Sequence, residues 1–341
     1  MGIKIILLII FFAVMAAVGI YSRRHVTSVD GFVLGGRSVG PWLTAFAYGT
    51  SYFSAVVFVG YAGQFGWKYG IASTWIGIGN ALIGSLLAWV VLGRRTKVMT
   101  QHLGSRTMPD FFGERYKSKS LKITASVIVF VFLIPYTASV YNGLSRLFAM
   151  AFNIPYTWCV VTMAAFTALY VILGGYMATA INDFIQGIIM LIGIVAVIAA
   201  VLNGQGGFMN AIAEMAKIPS DVPLTQGQPG AFTSFFGPDP VNLLGVVLLT
   251  SLGTWGLPQM IGKFYAIKDE KSISTGTIIS TIFAIIISGG CYFLGGFGRL
   301  FDSPEIYDKA GGAVVYDSII PHMLSMLPDL LIGVVVVLVL S

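Results

Sequence analysis

Hydroxyl, amide and carboxyl side chains are scarce in the apolar stretches of this chain, so chemistry is possible only where they gather. One such place is Ala47–Gly60, AYGTSYFSAVVFVG, where Gly49, Thr50, Ser51 and Ser54 crowd a few residues. A second is Leu248–Gly262, LLTSLGTWGLPQMIG, which holds Thr250, Ser251, Gly253, Thr254, Gly256 and Pro258. Both are weak helix formers in apolar surroundings. A helix broken there exposes carbonyl oxygens, which suit a hard monovalent cation such as Na+. The alternative is that the small residues only pack helices together. Asn80 is the lone amide of WIGIGNALIGS, placed to hydrogen-bond a solute or to bridge two helices. Asp183 is a carboxylate beside an apolar run, where an ionisable group is costly and functional by default. It follows a Gly-rich turn, so an N-cap role is the competing expectation. The two cysteines, Cys159 and Cys291, lie in apolar segments, and the three histidines show no H-x-x-x-H pair. Neither set forms a disulfide framework or a metal motif.

The elements that must position these residues are membrane helices. Hydrophobic residues make up 56% of the chain and charged residues 10%, against about 25% charged in a soluble domain. A spanning helix needs about 20 largely apolar residues. Nine stretches qualify: 3–20, 41–65, 71–93, 122–148, 156–175, 183–202, 241–260, 273–298 and 327–341. The first has one Lys near its start but no small-residue cleavage site before YSRRH, so it reads as a retained helix rather than a signal peptide. The last stretch stops at Ser341 after about 14 residues, which reads as a fragment cut inside a helix.

Lys and Arg set the orientation. With the N-terminus outside, inner loops and helix ends hold 14 of the 20 basic residues, including Arg24, Arg94, Lys117, Lys263 and Lys268; Lys4, Lys68, Arg146, Lys217, Arg299 and Lys309 fall outside. The net charge of +6 is thus a topology signal, and nucleic-acid binding would need a basic domain outside the membrane. The expected location is the cell membrane, as a multi-pass protein. Residues 203–240 form the longest piece outside the spans. Their centre, FMNAIAEMAKI, has helical spacing and reads as an ordered loop with a short helix.

Paired Gly/Pro-interrupted segments in corresponding positions of two repeats point to a transporter site near the bilayer midplane. Here 41–65 runs outward and 241–260 inward, as an inverted repeat requires. Three motifs then resemble the sodium:solute symporter family. They are FVLGGRSVGPWLTA (Phe32–Ala45), LGGYMATAINDFIQG (Leu173–Gly187) and WGLPQMIGKFYAIKDEKS (Trp255–Ser272). The second resembles the G-G-x-x-A-x-x-x-x-D-x-x-Q signature, with Asn182 where Thr is usual. The resemblance implies an all-α integral membrane protein with a leucine-transporter-like inverted-repeat fold and one extra N-terminal helix. Its parts would be the extra helix and cytoplasmic loop at 1–40, a first five-helix repeat at 41–202, an extracellular loop at 203–240 and an incomplete second repeat at 241–341.

The function it implies is sodium-coupled symport of a small organic solute into the cell by alternating access, with Na+ as the co-transported ion and the lipid bilayer as surroundings. The alternative is a sensor-type or proton-coupled member of the same fold. A channel would want a ring of like residues repeated by oligomer symmetry. An enzyme would want a cluster of ionisable residues on the helices. Matching GTSYFSA to the family's first core helix puts sodium-binding backbone carbonyls at Thr50 and Phe53. Hydroxyls expected from the eighth core helix would begin near Ser341, so the fragment is expected to be inactive. Proline symporters carry Asp at the position of Tyr52. Asp183 matches the signature Asp, implicated in cation binding or release at the inner side. The match of IPYTASVYNGLSRLF (Ile134–Phe148) to the third core helix places Tyr136 at the solute. Matching Pro258 to the signature Pro puts Pro258 itself at the solute, and with it Thr250 and Thr254, two positions where proline symporters carry aromatics.

Overall fold

The computed structural model describes residues 2–23, 28–53, 56–308 and 312–339. Ser54, Arg24, Lys309 and Ser341 lie outside them. In chain order the helices are α1 (Gly2–Arg23), α2 (Val29–Leu34), α3 (Pro41–Tyr52), α4 (Ala62–Tyr69), α5 (Thr74–Gly79), α6 (Arg94–His102), α7 (Met108–Tyr116) and α8 (Lys119–Phe152). After them come α9 (Tyr156–Gly204), α10 (Phe208–Lys217), α11 (Pro240–Gly253), α12 (Pro258–Ala266), α13 (Glu270–Gly295), α14 (Tyr316–Ser325) and α15 (Asp329–Val339). Wide turns at Val56–Tyr61, Asn80–Leu87 and Trp89–Gly93 join the neighbouring helices. Among the described residues β-pairing is limited to two isolated bridges, Val39 with Ile267 and Tyr307 with Val314.

Many helix starts are written in the sequence. Ser28, Thr107, Ser118, Asp239 and Asp269 each accept a backbone N–H at an N-cap. The Asp269 carboxyl bonds Ser272, which holds it below the usual carboxylate range.

Five helical runs are long and apolar enough to span a bilayer, and a sixth is the bent pair α11–α12. The nine expected stretches reappear as helix, but several are interrupted. The 41–65 stretch stops after Tyr52, α9 breaks at Gly175 (φ 59°, ψ −160°), and the helix inside 327–341 has 11 residues. An apolar run measures burial in lipid and does not report backbone breaks inside it. Conversely, Val56–His102 is one helical run of 47 residues by hydropathy, yet Gly70 has φ 60° and ψ −143°. The chain therefore turns back there, and α5 onward runs antiparallel to α13. Contacts from Gly77 to Ser288, Ser85 to Ser280 and Trp89 to Gly276 follow that register.

α13 is the central post. Phe283 packs against Phe46 of α3, and α9, α4 and α5 surround the rest. α1 lies on the outside of α9 and α15, where Phe11 and Met15 meet Val337. In the 203–240 stretch, α10 buries Ala211 and Met215 and stacks Phe208 on Phe293 and Phe297. That helix therefore caps the end of α13.

Candidate functional site

α3 begins with Pro41 in its first turn and ends at Tyr52, and Phe53 leaves helical geometry (φ −106°, ψ 55°). The last four carbonyls of a helix have no intrahelical donor. Here the Phe53 N–H takes the Gly49 carbonyl at 3.0 Å, and Thr50 lies within this orphan set. The Thr50 hydroxyl donates back to the Phe46 carbonyl at 3.0 Å. Its own helix thus uses the Thr50 side chain, while Ser54, four residues on, lies outside the described residues. Thr50 and Phe53 are both 2% exposed.

The second break has a different local cause. α11 ends at Gly253, Thr254–Gly256 makes one tight turn, and Leu257 is extended (φ −71°, ψ 126°). Pro258 then opens α12, where its missing N–H costs nothing. The two halves are bent by 52°.

The breaks face each other. The Tyr52 hydroxyl donates to the Thr250 carbonyl at 3.0 Å. That crossing needs Gly84, because a Cβ there would overlap the Tyr52 hydroxyl. Asn80 ties the same point from a third element, its Oδ1 accepting from the hydroxyls of Thr250 (2.9 Å) and Ser251 (3.0 Å). The Trp255 indole donates to the Ile83 carbonyl at 3.0 Å.

Between the breaks lies a cavity of about 340 Å3. Asn80, Tyr136, Thr250 and Thr254 line it together, with Tyr52, Ser51, Ser139 and Tyr292. Val56, Val57, Phe65, Leu249 and Leu257 supply apolar wall, and no charged side chain appears among the described lining residues. Such a site can hold a small molecule by hydroxyl and amide hydrogen bonds plus ring contacts. Pro258 is not part of this wall. It lines a neighbouring apolar cavity of about 530 Å3 between α7, α8 and the second break, which Tyr136 also touches.

Asp183 stands apart from that cavity. It lies inside α9, eight residues past the Gly175 break, so the N-cap expectation is corrected: Asp183 does not open the helix. Its carboxylate meets the Lys263 ammonium of α12 at 3.4 Å, with the two side chains 18% and 10% exposed. The same ammonium lies 5.4 Å from the Tyr176 ring centroid. Sequence reasoning counted Lys263 only as a basic residue near a cytoplasmic end. One signal was available, since Lys263 is the single charge in the otherwise uncharged run from Leu257 to Ile267. Ser139 carried no comparable signal, because a short hydroxyl on an apolar helix more often bonds its own backbone, as Ser139 does to the Pro135 carbonyl, and Tyr292 reads as one more aromatic in an apolar run.

Comparison with known proteins agrees with this geometry. Residues 32–341 match the model of the sodium:solute symporter family. Sodium/proline symporters of Staphylococcus aureus, among them those of strains JH9 and NCTC 8325 / PS 47, are 33% identical over 276 residues, 79% of this chain and 51% of theirs. The chain thus spans about half the length of these curated relatives. A solved structure of a Na+-coupled sialic acid symporter, in a substrate-bound outward-open state, superposes with a TM-score of 0.76 at 16% identity. It covers 99% of this chain and 70% of its own. That likeness shows the fold, a leucine-transporter-like all-α membrane architecture. With its paired broken helices and a family match over most of its length, the chain belongs to the sodium:solute symporter family.

Proposed function

We propose that the full-length protein carries a small organic solute into the cell together with Na+, by alternating access of the cavity between the two broken helices. The observation that carries this reading is the meeting of both breaks at one uncharged cavity lined by several hydroxyl side chains. Irregular backbone at membrane depth is tolerated where it lines a cavity or is packed in protein. A break that also offers carbonyl oxygens makes a cation site next to a solute site, which is the geometry coupling requires. Na+ would meet the carbonyls of Thr50 and Phe53, and Asp183 would serve it further toward the inner end. Phe46, which stacks on Phe184 beside Asp183 at 4.8 Å, is one helical turn before Thr50, about 6 Å at 1.5 Å per residue.

The solute would contact Tyr136, Asn80, Thr250 and Thr254. Hydroxyls and one amide suit an amino acid, a sugar or a small acid. The relatives are named as proline symporters, but Thr250 and Thr254 replace the aromatics expected of a proline symporter, which weakens a ring-stacking surface.

The test is uptake by full-length protein in proteoliposomes, using a panel of labelled solutes under an inward Na+ gradient. Solute should accumulate with Na+ and fail to accumulate when choline replaces it. Equal uptake in choline under an inward proton gradient would overturn sodium coupling in favour of protons.

A further inference from the structure

The Asp183–Lys263 pair belongs to neither the carbonyl cation site nor the solute cavity. It joins α9 to α12, the inner half of the second broken helix. Lys263 is 8% exposed, so its ammonium has left most of its water for this contact. The contact is loose: 3.4 Å, against about 2.7–2.9 Å for a close charge-assisted bond. A carboxylate has about four acceptor positions, and the lysine uses one. In the same position the ammonium lies over the face of Tyr176, 5.4 Å from the ring centroid. A lysine is a compact charge on a flexible four-carbon stem, so it can leave the carboxylate without a backbone change.

Resting on the sodium reading above, we propose that Lys263 is a tethered surrogate cation. It occupies Asp183 when no Na+ is there, and an arriving Na+ displaces it. Two monovalent cations cannot share one nearly buried carboxylate without repulsion, so occupancy is exclusive. The consequence reaches beyond affinity. While the lysine is on Asp183, α12 is pinned to α9; when Na+ takes the carboxylate, the inner half of the second broken helix loses that tie. Departure of Na+ restores it, and the lysine's return competes against rebinding. The ammonium thus favours release at the inner end.

The lysine taxes sodium affinity by the fraction of time it holds the carboxylate. If it holds Asp183 nine-tenths of the time, its removal lowers the apparent sodium dissociation constant about tenfold. The test is a sodium titration of the thermal unfolding midpoint of the full-length protein in detergent, with choline keeping ionic strength constant. Lys263→Gln should reach half-maximal stabilisation at about one-tenth of the wild-type Na+ concentration. Lys263→Arg, with a planar fork that grips a carboxylate at two points, should need more Na+ than wild type. It also keeps the test alive if the Gln variant does not fold. In the Asp183→Asn background, Lys263→Gln should leave half-saturation unchanged. An unaltered half-saturation in both single variants would overturn the proposal, whatever their stability. A wild-type protein whose midpoint ignores Na+ would sink the sodium reading itself, and this inference with it.

Discussion

Asp183 was conspicuous from its residue type alone, because a carboxylate in an apolar helix demands a reason. Its partner was not conspicuous, since a lysine near a cytoplasmic helix end ordinarily reaches water. The pairing changes what mutation will do. As an N-cap, Asp183 would tolerate Asn, which caps equally well. Inside α9 and paired at 3.4 Å, its replacement by Asn leaves the Lys263 ammonium buried without its counter-charge. Breaking one side of a buried pair costs about 3–5 kcal/mol, while removing both charges together is often near neutral. Asp183→Asn should therefore lower the unfolding free energy by an amount of that order, and Asp183→Asn with Lys263→Gln should recover most of it. Chemical denaturation of the four proteins in one detergent, read as a double-mutant cycle, measures this. Additive losses would show that the two side chains do not depend on each other. Asn80 was legible only as a choice between solute contact and helix bridge, and the structure shows the bridge beside a cavity. Its Oδ1 bridges to Thr250 and Ser251, and the residue lines the cavity.

Helices were the most legible elements, because 20-residue apolar runs and Ser, Thr or Asp caps are written locally. The breaks were legible in kind: Gly, Ser, Thr and Pro in Gly49–Ser54 and Gly253–Pro258 announced weak helix. Their consequences were not, since the Tyr52–Thr250 bond spans 198 positions of sequence. The turn at Gly70 lay between two expected spans, yet its geometry was invisible to hydropathy. Its φ of 60° with ψ of −143° is open to glycine and strained for other residues. A Cβ there would also run into the Phe232 backbone. Gly70→Ala should consequently lose about 1–3 kcal/mol from backbone strain alone, with further loss from the clash. Gly245 sits exposed in α11, and nothing lies within 4 Å of an added Cβ. Gly245→Ala should be neutral or slightly stabilising, since Ala is the better helix former. Fluorescence-detected melting of detergent-solubilised protein compares them. Equal midpoints for both variants would show that the turn at Gly70 relaxes without cost.

The molecule as a whole has two chemically different ends. At one end Arg106 pairs with Asp30, Arg94 with Glu270, and Lys122 with Asp110. Arg37 donates to the Ser105 carbonyl there at 2.6 Å, and the Val39–Ile267 bridge ties the start of α3 to the end of α12. At the other end Arg299 meets Asp221, His322 meets Glu305, Lys4 meets Asp329, and α10 packs over the tip of α13. With Asp183 counted at the first end, that end carries 13 basic against 6 acidic of the described residues, and the other carries 5 against 8. Acidic residues count little in topogenesis, and the Lys/Arg bias sets orientation. By that rule we propose that the first end faces the cytoplasm and the N-terminus faces out. Single cysteines test it against a background in which Cys159 and Cys291 are 4% and 2% exposed and are first replaced by Ala. A membrane-impermeant maleimide added to intact cells should label Lys217→Cys in α10 and spare Lys117→Cys and Lys268→Cys, which should react only after permeabilisation. Labelling of Lys117→Cys from outside would invert the assignment. It would also turn the Asp183–Lys263 pair toward the extracellular side, where it would act on sodium entry instead of release.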